Sequence, residues 1–398
     1  MRILNVTQSY YPFLDKGGPT VKVRAMARGM AAAGHQVAVL TADLGLDHAT
    51  TGAIAGRWGW ETQEDGVEAI YLHTRARSRA LTWNPGVAAF CRERLASCDL
   101  AHIYGLYDLI GPQVASARRR MARPYVVEPM GMFRPIVRNI WLKRMYHAVL
   151  GRAMLRGADR VIATAEQERQ ELLEGGIPDS KIVVRRNGID VPTKLPPPGL
   201  FRGQWHISAD TKLVLFLGRL VSKKSPDLML EAFARWQGRN NGQQSSLLVV
   251  AGPDEGDGFR QRLETLAEKL SLNGQVLFTG PLYDDAKWAA YRDADLFVLP
   301  SQNENFGNTA AEAVACGTPV LVTDRCGIAP IVDRRAGLVV PHDCAALEGG
   351  LEKILDDPAL AARLRKGCEE VARSLGWAEP LAQMESLYQE LAPAGRPR

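Results

Sequence analysis

Short apolar runs alternate with segments of helical spacing along this chain, and the series occurs twice. Strand candidates of the first series lie at residues 3–6, 36–41, 67–72, 100–104, 125–128, 160–163 and 181–184. Those of the second lie at residues 212–217, 246–251, 276–279, 296–299, 319–323 and 337–340. Apolar strands that alternate with helices are typical of parallel sheets covered by helices on both faces. The sequence therefore predicts an α/β fold of two doubly wound domains facing across a cleft.

A segment rich in proline and glycine, residues 191–208, separates the two series and has the composition of a linker. The predicted domains are residues 1–195 and 210–375. Residues 376–398 follow, with a helix at 381–391 that can cross back to the first domain and a tail from Pro393 that we expect to be disordered.

Composition narrows the function. The net charge of +5 is mild, and there is no basic tail, so nucleic-acid binding is not expected. None of the six cysteines forms a C-x-x-C pair, which predicts reduced cytosolic thiols rather than zinc or disulfides. The N-terminus reads as a strand instead of a signal peptide, and no apolar run approaches the ~20 residues of a membrane span. We expect a cytoplasmic protein.

The stretch from Glu304 to Glu312 follows the apolar run 296–299 and leads into a helical segment, so two carboxylates bracket a strand–loop–helix junction. Ligands of open α/β sheets bind outside the carboxyl ends of the strands. Backbone amides at a helix start can hold a diphosphate, whereas carboxylates suit hydroxyl groups. Together these groups indicate a sugar nucleotide.

The same residues have a second interpretation. Thr309-Ala310-Ala311-Glu312 is also a capping box, in which Thr309 is the N-cap and Glu312 reaches back to its amide. From this segment alone, both interpretations stay open.

Further motifs occur in a fixed order around this segment. They are Gly17-Gly18-Pro19, Asn187-Gly188-Ile189-Asp190, Gly218-Arg219-Leu220 with Lys224, the loop 252–256, the E-x7-E spacing of Glu304 and Glu312, and Ala315-Cys316-Gly317-Thr318-Pro319-Val320. In this arrangement the chain resembles retaining glycosyltransferases of the GT-B fold, family 4-like (glycosyl transferases group 1). The resemblance covers nearly the whole chain and implies two Rossmann-like domains.

The resemblance implies three catalytic residues. Arg219 and Lys224 would hold the donor diphosphate and stabilise the leaving group, and Glu304 would lie beside the transferred sugar. Fixed cations stabilise the negative charge that develops on a departing phosphate. The alternative for Arg219 and Lys224 is a solvated basic loop.

The resemblance also implies a set of donor-binding residues: Gly17, Gly18, Gly218, Asn305, Phe306, Gly307, Asn308 and Glu312. Glu312 would bind the ribose hydroxyls, and Gly17 and Gly18 would close over the diphosphate. Core packing is the alternative for Phe306.

One residue departs from the family pattern, and one pair of aspartates imitates a motif of a different fold. Met130 stands where many relatives carry a histidine, so only a backbone role remains there; nearby Glu128 is interpreted as a strand-end residue that caps a loop. Asp293 and Asp295 imitate a metal-binding D-x-D but precede a strand, at the wrong end for the site. No metal or other cofactor is expected.

A basic and aromatic stretch in the first domain reads as an amphipathic helix. It comprises Arg134, Arg138, Trp141, Lys143, Arg144, Tyr146, His147, Arg152 and Arg156. It would either dock on a membrane or form a solvated helix face, and the second interpretation is preferred. Arg118-Arg119-Arg120 would add to the patch or face water.

The predicted function is retaining transfer of a hexose from a nucleoside diphosphate sugar to an acceptor hydroxyl, in polysaccharide or glycolipid assembly. The partners would be the donor, a glycan or lipid-linked acceptor held by the first domain, and, as an option, the inner face of the plasma membrane. The alternatives are a non-catalytic subunit that binds a sugar nucleotide, and a GT-B epimerase or phosphorylase.

Overall fold

The computed structural model describes residues 1–13, 18–47, 51–78, 81–134, 140–239, 245–254, 256 and 258–392. The chain divides into two compact units. Unit 1 comprises Met1–Gly188 and Trp377–Arg398, and unit 2 comprises Ile189–Gly376. The predicted disordered tail, residues 393–398, lies outside the described residues.

Unit 1 is built on a largely parallel sheet. In chain order its strands are β1 (Arg2–Val6), β2 (Gln36–Ala42), β3 (Ile54–Ala55), β4 (Gly59–Glu64), β5 (Val67–Leu72), β6 (Ala76–Ser78), β7 (Leu81–Trp83), β8 (Leu100–Tyr104), β9 (Tyr125–Glu128), β10 (Arg160–Ala163) and β11 (Ile182–Val184). The order across the sheet is β11-β10-β9-β8-β1-β2-β5-β4-β3, and β6 pairs with β7 in a separate ribbon. Strands β2 to β5 lie on one side of β1, and the chain then crosses to the other side of β1 with β8. The topological switch point of this sheet therefore lies between β1 and β8.

The antiparallel edge of this sheet was not predicted. β4 pairs with β5 through a turn at Asp65 and Gly66, both with left-handed backbone angles (φ 52° and 76°). Asp-Gly at such a turn is a hairpin signal. The polar residues of β4, which lies next to the short edge strand β3, gave no apolar run by which the strand could be predicted.

Helices cover the faces of this sheet. They are α1 (Gly18–Ala32), α2 (Gly86–Glu93), α3 (Ile110–Arg120), α4 (Ile140–Tyr146), α5 (Arg152–Gly157) and α6 (Glu166–Glu174), with a π-helical turn at His147–Gly151. The C-terminal helix of the chain, Ala378–Leu391, also belongs to unit 1. Its Tyr388 hydroxyl lies 2.6 Å from Nδ1 of His102, in the middle of β8.

Glu128 lies in a buried charge cluster, so its interpretation as a loop cap is wrong. The carboxylate is fully buried and pairs with Lys22 and with Nη2 of Arg185, the latter at 2.5 Å. Burial opposes its ionisation, but Arg185 and Lys22 outweigh burial and lower the pKa of Glu128 to about 2. Removing one partner of such a cluster leaves an uncompensated buried charge, so the cluster ties α1, β9 and the residue after β11 together.

Arg118 was predicted to face water or join a basic patch, and the structure contradicts this. Its side chain is fully buried and donates hydrogen bonds to the carbonyl groups of Leu95, Cys98, Asp99 and Pro124. A guanidinium has five N–H donors, so it can satisfy several turn carbonyls at once.

Unit 2 contains a second parallel sheet. Its strands are β12 (Lys212–Leu217), β13 (Ser246–Ala251), β14 (Val276–Gly280), β15 (Leu296–Leu299), β16 (Val320–Thr323) and β17 (Gly337–Val340). They lie in the order β14-β13-β12-β15-β16-β17. The chain moves outward from β12 to β14, returns to the other side of β12 with β15, and moves outward again. The topological switch point therefore lies between β12 and β15.

The helices of unit 2 pack on both faces of this sheet. They continue the numbering as α7 (Leu200–Gln204), α8 (Pro226–Arg239), α9 (Phe259–Lys269), α10 (Asp284–Asp293), α11 (Asn308–Ala315), α12 (Ala329–Val332), α13 (Cys344–Leu355) and α14 (Pro358–Ala372). The C-terminal helix named above is α15. These elements confirm the predicted α/β class and the second series of strands.

Part of the predicted linker is instead folded onto unit 2. Phe201 in α7 is fully buried in the core of this unit. Asp293 accepts hydrogen bonds from the amides of Gly199 and Arg202, and Asp295 pairs with the Arg202 guanidinium at 2.9 Å. Asp293 and Asp295 thus hold the segment around α7 in place, at the amino end of β15.

Candidate functional site

Two loops meet at the switch point of unit 2. One follows β12 and contains Gly218, Arg219 and Lys224; the other follows β15 and contains Glu304. The amide of Gln302 donates to the carbonyl of Lys223 at 2.9 Å, which joins the loops through their backbones. The parallel pairing of β12 with β15 places both loops at the same edge of the sheet.

Lys224 and Glu304 form an ion pair at this junction. Their side chains are 16% and 18% exposed, so both remain within reach of a solute while water screens the pair only in part. The amide of Glu304 donates to the carbonyl of Arg325, and the amide of Gly327 donates to the carbonyl of Glu304, each at about 3 Å. These backbone bonds hold the carboxylate against Lys224. An anionic group that entered here would compete with Glu304 for the ammonium.

Ser225, directly after Lys224, has a left-handed backbone (φ 49°), which costs free energy for a residue other than glycine. Its hydroxyl lies 3.0 Å from Nε2 of His342 and 3.3 Å from the carbonyl of Ser222. His342, in the segment between β17 and α13, thus helps to hold the loop that carries Lys224.

The loop after β13 packs on the backbone of Gly218. The Gly218 amide donates to the carbonyl of Ala251, and the Leu220 amide donates to the carbonyl of Pro253, both at 3.0 Å. Gly252 has φ 153°, and a Cβ there would lie 1.8 Å from the Gly218 carbonyl oxygen. Only glycine fits this contact, so Gly252 sets the path of the Gly218 loop.

Helix α11 begins differently from the capping-box interpretation. Its N-cap is Gly307, with φ 107° and no side-chain cap, and Thr309 lies inside the helix. A Cβ at Gly307 would lie 3.0 Å from Cγ2 of Ile328. The left-handed angle together with this close approach explains the glycine. The interpretation of Thr309 as N-cap is wrong.

Glu312 does not reach back to the start of α11. Its Oε1 lies 2.9 Å from Nζ of Lys287, and its Oε2 accepts a hydrogen bond from the Tyr291 hydroxyl at 2.9 Å. Burial and then the neighbouring Glu312 charge raise the pKa of Tyr291 well above its ordinary value, so this phenol stays protonated and donates. Both partners come from α10, one helical turn apart.

The remaining predicted site residues lie in different environments. Arg219 is exposed, and Asn305 and Asn308 are half-buried beside Gly307. The Phe306 side chain is 2% exposed and packs in the core, so only its backbone can contact a ligand. Gly18 begins α1 of unit 1, whereas Gly17 lies outside the described residues.

Met130 has a left-handed backbone (φ 56°) directly after β9, as does Gly131 (φ 72°). The Gly131 amide donates to the buried carboxylate of Glu168 at 2.6 Å. This turn lies at the carboxyl end of its strand, and its strained backbone is held by a buried acid.

Several residues of the site were missed by sequence reasoning. Lys287, Tyr291, Ser225 and His342 belong to no motif that was considered. The i, i+4 spacing of Lys287 and Tyr291 was the one available signal, because it places both side chains on the same helix face.

Comparison with protein families assigns the chain to one of them. Residues 200–371 match the model of glycosyl transferases group 1, and residues 17–188 match that of a glycosyl transferase 4-like domain. The D-inositol 3-phosphate glycosyltransferase of Frankia alni is 30% identical, with 96% of each chain covered. That of Corynebacterium jeikeium is 31% identical over 78% of this chain and 76% of its own. The chain belongs to the group 1 glycosyltransferases.

Solved structures agree on the fold. Sucrose-phosphate synthase from Thermosynechococcus elongatus is 24% identical, with a TM-score of 0.75 over 99% of this chain and 100% of its own. HepE of Anabaena, solved with UDP-glucose, is 18% identical, with a TM-score of 0.76 over 98% of this chain and all of its own. The fold is therefore GT-B. The roles of the individual site residues stay predictions.

Replacing Gly252 by alanine should destabilise unit 2 and disturb the site. The Cβ would collide with the Gly218 carbonyl, and a left-handed backbone costs about 1–3 kcal/mol for other residues. We expect a loss of at least ~2 kcal/mol in thermal or chemical denaturation. Gly238→Ala near the end of α8 is the matched control: a Cβ there meets nothing within 4 Å, and stability should stay the same or rise by up to ~1 kcal/mol. Equal stability of the two variants would contradict the packing argument.

Proposed function

We propose that the protein transfers a hexose from a nucleoside diphosphate sugar to an acceptor hydroxyl with retention at the anomeric carbon. The observation that carries the proposal is the Lys224–Glu304 pair at the switch point of unit 2, beside the N-terminus of α11. One group suits the phosphates and the other suits the sugar, and both belong to the loops where α/β proteins bind ligands.

The diphosphate would be held by Lys224, Arg219 and the first amides of α11. The helix spans eight residues and begins without a side-chain cap, so its leading N–H groups and the positive end of its dipole face the loop. When phosphate oxygens bind Lys224, Glu304 loses its partner. Its carboxylate is then available to accept hydrogen bonds from the hydroxyls of the transferred sugar.

The configuration at the anomeric carbon would be retained because the acceptor oxygen attacks this carbon from the same face that the phosphate leaves. The bond between the anomeric carbon and the phosphate oxygen breaks, and the acceptor oxygen forms the new bond. The acceptor proton passes to the departing phosphate oxygen. This step requires stabilisation of the negative charge that develops on the phosphate, which Lys224 and Arg219 supply, rather than a separate base.

The names of relatives suggest which probes to use first. Curated relatives are D-inositol 3-phosphate glycosyltransferases, and HepE was solved with UDP-glucose. A polyol acceptor taken up by unit 1 and a UDP-sugar donor are therefore the first pair to test. Melting curves with UDP-, GDP- and ADP-sugars should reveal the donor, because bound ligand raises the melting temperature. Analysis of products with and without acceptor separates transfer from epimerisation or phosphorolysis.

Lys224→Ala should lower kcat by about 100- to 1000-fold with a smaller change in donor affinity, because loss of one such electrostatic contact costs about 2.7–4 kcal/mol. Steady-state kinetics together with calorimetric titration of the nucleotide measure both quantities. Lys223→Ala is the matched control and should keep kcat. A wild-type kcat for Lys224→Ala would remove this residue from the mechanism, and binding without turnover in the wild type would favour the non-catalytic subunit.

Activity should persist in EDTA. Asp293 and Asp295 are engaged with Arg202, and we assign charge stabilisation to Arg219 and Lys224 in place of a divalent cation. Initial rates after chelation and dialysis test this assignment. Loss of activity that Mg²⁺ or Mn²⁺ restores would show that a metal takes part.

We also propose that unit 1 docks on an anionic lipid surface through α4 and the turn after it. Trp141, Met145 and Val149 recur at a spacing of four and are 66%, 51% and 67% exposed. Four cations and no acidic residue occur between positions 140 and 158; the cations are Lys143, Arg144, Arg152 and Arg156. An apolar stripe in a segment whose charged residues are all cations suits the interface of an anionic membrane. Arg138 lies outside the described residues.

No helix within the described ranges combines the length and the apolar composition that a membrane span requires. Docking of this kind would be peripheral. A location at the inner face of the plasma membrane, with a lipid-linked acceptor, stays a prediction.

Replacing Lys143 and Arg144 together by glutamine should weaken binding to phosphatidylcholine–phosphatidylglycerol vesicles roughly thirtyfold, since each charge near such a surface is worth about 1 kcal/mol. Co-sedimentation at low salt measures the affinity. Arg262→Gln with Lys269→Gln on α9 removes the same charge from unit 2 and should leave binding unchanged. Equal binding of both double variants, or no sedimentation of the wild type, would favour a solvated helix face.

A further inference from the structure

We infer that Lys287 and Tyr291 are positioning residues that orient Glu312 to accept both hydroxyls of a ribose vicinal diol, and that they thereby set the preference for ribonucleotides over deoxyribonucleotides. The inference rests on the proposed function, because it takes the ligand to be a nucleoside diphosphate. It adds two residues to the site that belong to none of its motifs.

The contacts of Glu312 divide evenly between its oxygens. Oε1 lies 2.9 Å from the Lys287 ammonium, and Oε2 lies 2.9 Å from the Tyr291 hydroxyl. An ionised carboxylate has about four acceptor positions, two on each oxygen. Each oxygen therefore keeps about one further acceptor position. Two hydroxyl donors, one for each oxygen, match this pattern, whereas a single donor would use only half of it.

The two donors are themselves held firmly. Tyr291 is fully buried in the core of unit 2, and its backbone carbonyl accepts a hydrogen bond from the Thr318 hydroxyl. The Lys287 ammonium lies 4.4 Å from the centre of the Trp288 ring, within the range of a cation–π interaction. The carboxylate cannot rotate without losing both contacts, so its orientation is set before any ligand arrives.

Glu312 remains reachable in this arrangement. Its side chain is 18% exposed and that of Lys287 is 23% exposed. Glu312 lies on α11, and the N-cap of this helix, Gly307, belongs to the loop that carries Glu304. A nucleotide whose diphosphate meets the start of α11 would thus extend its ribose along the first turn of the same helix. A carboxylate there suits neutral hydroxyls, since it would repel phosphate.

The test is discrimination between ribose and deoxyribose. UDP, GDP and ADP are titrated into the full-length protein beside dUDP, dGDP and dADP, and the ratio of dissociation constants is measured for the pair that binds. The wild type should prefer the ribonucleotide by about tenfold or more, because a hydrogen bond to a charged group is lost with the 2′-hydroxyl. Lys287→Met and Tyr291→Phe should each reduce this ratio at least threefold. Both keep the volume of the side chain, so the fold should persist.

Two further variants make the result specific. Glu312→Ala should abolish the preference, and adding Lys287→Met to it should change the ratio no further, since Lys287 acts through Glu312. Lys269→Met and Tyr283→Phe are matched controls, because Lys269 is exposed and Tyr283 is 60% exposed. Both should keep the wild-type ratio.

The outcomes separate the two proposals. If the wild type discriminates but Lys287→Met and Tyr291→Phe retain its ratio, the positioning role is refuted while the proposed function stands. A purely structural role would lower the melting temperature of these variants without changing the ratio, and that result also refutes the inference. If the wild type binds none of the diphosphates, the proposed function fails and this inference fails with it.

Discussion

The parallel pairing of β12 with β15 is the contact on which the site depends. Val214 lies opposite Leu296 and Leu215 opposite Phe297, all of them fully buried. These strands are separated by two further strands in the sequence, yet they are neighbours in the sheet, so their following loops meet. The Lys224–Glu304 pair follows from that adjacency. Burial of apolar surface along these strands supplies the free energy that holds two charged loops together.

Charged groups serve two different purposes in this protein. The cluster of Glu128, Lys22 and Arg185 is fully buried and binds elements of unit 1 together. The pairs of Glu304 with Lys224 and of Glu312 with Lys287 are about one-fifth exposed. A fully buried pair cannot exchange partners without a large desolvation cost, whereas a partly exposed pair can. The partly exposed pairs suit ligand binding for this reason, and the buried cluster suits stability.

Much of the architecture could be predicted from short-range pattern. The apolar runs 212–217 and 296–299 coincide with β12 and β15, because a strand buried on both faces must be apolar throughout. Gly307 was among the predicted donor-binding residues, and it has a left-handed backbone close to Ile328. Local pattern did not predict the environments of Glu128, Arg118 and Thr309. Each of them fitted a role defined by its neighbours in the sequence, and each has a different environment in the folded chain.

By itself the sequence determined the strand and helix periodicity, the positions of the loops, and the order of motifs that marks the glycosyltransferase family. Periodicity and loop positions depend on neighbours within a few residues, and the order of the motifs is read directly along the chain. All three can therefore be inferred before folding is considered. Only the tertiary structure decided which donors hold Glu312, how His342 reaches the loop of Lys224, and why position 252 requires a glycine. Each of these contacts joins residues that are 21 or more positions apart, and only the packing of the sheet and its helices brings them into contact.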